Sequence, residues 1–171
     1  VITISQLFFL MMQGLSFAVS ILVSNAFGRK DLGSVREYAR KGYFMTLGIS
    51  ATLSVLLYCF RYQAAGIFTD SPEVSAMAVS LFFLLFAYQF GDGLQLCFAN
   101  VLRGIQDVKP IMYAAFVSYY LIAIPSAYLL GFKAGLGIHG IWMGFPIGLT
   151  LAGIFFYARY RSDLRRFGRM M

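Results

Sequence analysis

The chain reads as an all-α, polytopic membrane bundle of five transmembrane helices, and three observations predict it. Sixty per cent of the 171 residues are hydrophobic, only 12% are charged and the mean hydropathy is +0.74, where a soluble domain holds about 25% charged residues. The apolar residues form five uncharged or nearly uncharged runs, each able to cross a hydrocarbon core of ~30 Å with about 20 residues. The charged residues fall in short clusters between them, so the net charge of +7 reads as topogenic charge and not as a nucleic-acid footprint. The chain is one transmembrane domain followed by a basic tail over 159–171.

The first crossing, over 4–27, carries no charge and places Gln13, Ser16, Ser20, Ser24 and Asn25 among Leu, Phe, Met and Val. The three serines recur at spacing four and share one stripe, which packs on a neighbouring helix or lines a cavity. A polar connector, GRKDLGSVREYARK, follows. Its Ser34-x-x-Glu37 has capping-box spacing, which predicts a helix start near Val35. The second crossing spans 42–60, with Thr46, Ser50 and Ser54 again four apart. Asp70-Ser71-Pro72-Glu73 then combines a cap residue, a proline at the first turn and an acid beside the helix amides, which announces a third start. That crossing covers 74–101. The fourth covers 110–132 and the fifth 136–158, with kinks expected at Pro125 and Pro146, where a backbone hydrogen bond is missing. Between them GFKAGLGIHG reads as a tight turn.

Twelve of the fourteen Lys and Arg residues collect on one side of these crossings, and only Arg61 and Lys133 lie on the other. The first side is therefore expected to be cytoplasmic, with the C-terminus inside and the N-terminus outside. Val1 follows no charged signal-peptide region, so at least one further helix is expected upstream. Cys59 and Cys97 lie in apolar runs without a C-x-x-C or a His neighbour and are expected to be buried apolar side chains, not a disulfide or a metal site.

Asp92 stands out within the third crossing. At 1.5 Å per residue it lies about 16 Å from Arg103 and about 28 Å from Glu73, inside the hydrocarbon layer. An ionisable group there costs at least ~2.5 kcal/mol, so it faces protein or a water-filled cavity. Helical spacing places Tyr88 and Gln89 one turn before it and Gln95 and Leu96 one turn after, with Gly91 and Gly93 removing bulk on either side. A carboxylate, a phenol and two amides on one face make a candidate cation or proton site at Asp92 and Tyr88. Gln89, Gln95, Gln13 and Ser16 are candidate lining of a substrate cavity. Tyr88, Tyr119 and Tyr120 are placed to offer cation–π contacts.

The pattern Asp92-x-x-Gln95, Leu102-Arg103-Gly104 and Asp107-Val108-Lys109-Pro110 resembles the multidrug and toxic compound extrusion (MATE) transporters. So do the opening GLSFAVSILVSNAFGRKDLGSVREYARKG and the late GIHGIWMG over 137–144. The resemblance spans nearly the whole chain. It implies helices eight to twelve of a twelve-helix antiporter in a bacterial inner membrane, which carries cationic or amphiphilic compounds out in exchange for Na⁺ or H⁺ by alternating access. It also implies that Asp92 binds the coupling ion with Tyr88 against it, that the partners are lipid, a small-molecule substrate and an N-terminal half, and that no other cofactor is needed.

Three other readings are weighed. A lipid-linked oligosaccharide flippase of related plan calls for cations lining the cavity, and no Arg or Lys lies inside a crossing. An intramembrane enzyme lacks its parts, since His139 is the single histidine and neither G-x-S-x-G nor H-E-x-x-H occurs. A standalone five-helix channel or structural protein is disfavoured by the odd helix count and outside N-terminus.

Overall fold

The structure, a computed structural model, describes residues 2–60 and 72–169. Among these the regular structure is all helical, with no strand. The five helices are α1 (Ile2–Gly28), α2 (Leu32–Cys59), α3 (Pro72–Gly104), α4 (Lys109–Lys133) and α5 (Gly137–Phe167). Among the described residues, three segments are long and apolar enough to cross a membrane: Phe9–Gly28 of α1, all of α4 and all of α5. Asp70 and Ser71 of the expected third cap, and Arg61, lie outside the described residues.

The connector between α1 and α2 is tighter than the spacing predicts. Asp31, not Ser34, caps α2: its carboxylate accepts from the Ser34 backbone N–H at 3.0 Å and from the Ser34 hydroxyl. Glu37 pairs with Lys41 one turn on, so the expected capping box does not form and α2 starts three residues before Val35. Asp31 wins because it stands at the N-cap position, outside the first turn, from which its carboxylate reaches the free amide of Ser34. Lys30 takes φ +60°, which closes α1 by returning the Asp31 N–H to the Ala26 carbonyl at 3.0 Å. Gln106 at φ +64° does the same for α3, returning the Asp107 N–H to Leu102.

Helix α3 is the hub, packing against α1, α2 and α5, while α4 rests on α5. Val23, Val35, Val101, Leu102, Ala152 and Phe156 are fully buried where α1, α2, α3 and α5 meet. α2 presents Thr46, Ser50 and Ser54 inward, all buried. Cys59, expected buried, is exposed, because five residues after Ser54 it has turned about 140° away from that face. The serine stripe of α1 drifts likewise. Ser16 is fully buried, Ser20 half-buried and Ser24 exposed, since a spacing of four overshoots a turn by about 40° each time.

Pro125 does not simply kink α4. The helix widens into π-helical turns on both sides, over Val117–Ala123 and Leu129–Lys133, with the Ile124 N–H bonded back to Tyr119. Such widening re-pairs carbonyls around a residue that has no N–H to give. Gly140, Gly144 and Gly148 of α5, four apart, meet Leu130, Ala127 and Ala123 of α4 so closely that a Cβ at any of them would collide. This small-residue seam is what holds α4 in place.

Candidate functional site

The site is built on the middle of α3. Gly91 packs on Thr150 of α5, and Gly93 on Met12 of α1 and on Thr46 and Ser50 of α2. Their missing side chains let three helices close on α3 at the height of Asp92. The carboxylate is consequently 3% exposed and Gln89 2% exposed. Tyr88 and Gln95, one turn away on either side, are half-buried. Tyr119, from the π-helical stretch of α4, is close enough to Asp92 to feel its charge, as is Tyr88. The site thus joins a carboxylate, two phenols and two amides from two helices.

The hydrogen bonding of this cluster is incomplete among the described residues. Asp92 Oδ2, Gln89 Nε2, Gln95 Oε1 and the Ser16 hydroxyl are buried without a partner, although buried polar atoms are paired nine times in ten or more. No described ion pair reaches Asp92: these join Lys41 to Glu37, and Arg159 to Asp107 and Asp163. A buried carboxylate with no cationic neighbour holds a proton or takes a cation from solution. No three His, Cys, Asp or Glu side chains converge among the described residues.

The remaining sequence candidates lie on α1 and α4. Gln13 is half-buried and shares the height of Asp92, being next to Met12, whose methyl group meets Gly93. Ser16 lies about one turn nearer the Arg-rich end. Tyr120 is 61% exposed, stacked on Phe116, and faces away from the cluster. Spacing along α3 marks Tyr88, Gln89 and Gln95 as neighbours of Asp92. It carries no sign that Tyr119, twenty-seven residues on and on another helix, joins them.

A second polar cluster, not expected from sequence, ties the α3–α4 connection to α5. Arg159 donates from Nε to Asp107 Oδ2 at 2.7 Å, and its NH2 lies 3.3 Å from Asp163 Oδ1. Partial burial works against ionising Asp107, but its bond to Arg159, its contact with Asp163 and the positive charges of Arg159 and Arg166 together outweigh this and hold the carboxyl below its ordinary range.

Comparison with known proteins covers nearly all of this architecture. The MatE family model matches residues 1–129. The chain is 35% identical over 162 residues to a "Multidrug resistance protein NorM" of Aliivibrio fischeri, covering 92% of this chain and 35% of that protein. It is 34% identical, again over 162 residues, to a "Multidrug resistance protein MdtK" of Photorhabdus laumondii subsp. laumondii, covering 91% of this chain and 35% of that one. The chain therefore spans about a third of the length of these relatives. Among solved structures, the eukaryotic MATE transporter AtDTX14 superposes with a TM-score of 0.87 at 22% identity, over 99% of this chain and 39% of that one. An inward-facing multidrug resistance MATE transporter superposes with a TM-score of 0.89 at 16% identity, over 98% and 39%. At those identities the structural likeness establishes the fold.

Proposed function

The chain belongs to the MATE family of multidrug efflux transporters, and from that premise we propose that it supplies part of a secondary antiporter that exchanges Na⁺ or H⁺ for cationic, amphiphilic compounds. The observation that carries the reading is the Asp92 carboxylate, 3% exposed at the hub of the bundle, with an oxygen that has no partner among the described residues. Burial there is costly unless the group is neutralised. Two ways of neutralising it, by a coupling ion and by a cationic substrate, then compete for one charge. Tyr88 and Tyr119 offer phenol oxygens near the carboxylate.

The cycle proposed is alternating access, in which two bundles rock about a central cavity. A coupling ion that enters from outside neutralises Asp92 and releases the substrate to that side, and by linkage the substrate loosens the ion equally. The polar faces of α1 and α3, with Ser16, Gln13, Gln89 and Gln95, would line the route, and the Arg-rich side would be cytoplasmic.

The test is efflux by the full transporter carrying this segment, reconstituted in proteoliposomes under imposed Na⁺ and H⁺ gradients. Asp92→Asn is expected to abolish coupling to both gradients, and Tyr119→Phe to weaken it. Unchanged efflux with unchanged ion dependence in Asp92→Asn would overturn the proposal.

A further inference from the structure

A groove of about 580 Å³ opens between α2 and α5 at the Arg-rich end of the bundle. It exists because both helices pack on α3 and far less on each other. The floor is aromatic. Phe98 of α3 meets Tyr43 of α2 at 5.5 Å between ring centres, and Tyr157 and Tyr160 of α5 at 4.9 and 5.6 Å. Four guanidinium groups line the groove, Arg36 and Arg40 from α2 and Arg161 and Arg165 from α5. Each pair is four residues apart, so each stacks along one helix face and the two pairs confront each other.

Three features mark the groove as a binding site and not only as topogenic charge. No ion pair among the described residues neutralises any of the four arginines, since Glu37 beside them is taken by Lys41. Arg161 is held over the Tyr157 ring, its Cζ 5.9 Å from the centroid, and so is placed before any ligand arrives. Tyr160 lines the groove at 5% exposure, and its hydroxyl lacks a hydrogen-bond partner among the described residues. The walls are apolar and run out onto exposed Phe44 and Met45.

We propose that this groove holds an anionic phospholipid, its phosphate between the two arginine pairs and the start of an acyl chain along Phe44 and Leu94. The arginines lie just beyond the apolar stretches of α2 and α5, at the depth of phosphate in one leaflet. Basic pockets between helices at that depth take acidic headgroups. A free anion would satisfy the arginines but leave the apolar floor and the Phe44 wall wet. The proposal rests on membrane insertion but not on the coupling role of Asp92. The two fail separately, because one is read by lipid retention and the other by transport.

The full transporter carrying this segment would be delipidated in detergent and titrated with dioleoyl phosphatidylglycerol or dioleoyl phosphatidylcholine, with retained lipid counted by native mass spectrometry. Phosphatidylglycerol is expected to be retained preferentially. Arg36→Gln with Arg161→Gln should weaken it about 25-fold, at about fivefold for each cation. Arg29→Gln with Lys30→Gln, which removes equal charge outside the groove, should leave retention unchanged. Each variant is checked for a monodisperse, helical protein, and Arg→Lys at the two groove positions should restore part of the binding. Equal retention of phosphatidylcholine, no retained lipid, or equal loss in both variants would overturn the proposal. So would full displacement of the lipid by millimolar inorganic phosphate, which would make this a site for a soluble anion.

Discussion

Asp107 shows how one side chain can join two elements distant in sequence. It sits in the short link between α3 and α4, yet its partner, Arg159, is fifty-two residues on in α5. Replacing it with Ala should cost about 1 kcal/mol once the half-open guanidinium is discounted, measurable as a lower unfolding midpoint in detergent. Asp31 gives the pH test. Its hydrogen bonds from the Ser34 hydroxyl and amide lower its pKa from 3.8. Because the folded value lies below the unfolded one, the cap contributes fully above 3.8 and is lost as pH falls through the depressed value. The protection factor of the Ser34 amide should therefore drop in that window. The same sign applies to Asp107, whose folded pKa is also depressed.

At the scale of elements, turns and seams decide where the helices go. Gln106 adopts a left-handed conformation that costs a side-chain-bearing residue about 1 kcal/mol or more. Gln106→Gly should recover about that amount, visible as a raised unfolding midpoint, because the Asp107 N–H to Leu102 bond needs only the backbone. The α4–α5 seam points the other way. A Cβ at Gly144 would meet the Ala123 carbonyl oxygen at 2.8 Å, and neither backbone can yield without separating the helices. Gly144→Val should destabilise by about 1–3 kcal/mol or displace α4, and should also weaken ion coupling, because α4 carries Tyr119 to Asp92. Thermal melting and the transport assay would separate a stability loss from a loss of site geometry.

Across the whole molecule the polarity is inverted relative to a soluble domain. Leu10, Met112, Tyr113, Leu121 and Phe132 are more than 60% exposed, while Ser16, Thr46, Ser50, Gln89, Asp92 and Asn100 are buried. In lipid this is the stable arrangement, because apolar surface gains nothing by leaving hydrocarbon whereas polar groups do. A green fluorescent protein fused after Met171 should be bright and an alkaline phosphatase at the same place inactive if the Arg-rich end is cytoplasmic, as the charge asymmetry predicts. The opposite result would invert the bundle and place the arginine groove in the outer leaflet.

Composition and the run lengths of apolar residues were enough to determine an all-helical membrane bundle, because the bilayer requires every backbone polar group to be paired within its own segment. The position of Asp92 and the identity of its neighbours on α3 were equally legible, since helical period alone places Tyr88, Gln89 and Gln95 around it. Local competition was not. Asp31 and Ser34 are both good caps, and which one reaches the free amides depends on how α1 ends. What only tertiary structure decided are the contacts between helices: Tyr119 brought beside Asp92, Arg159 tying down Asp107, Cys59 turned outward, and the arginine pairs facing each other over Phe98. Each depends on the rotation and height of one helix against another, which close packing of small residues sets and no periodicity within a single helix encodes.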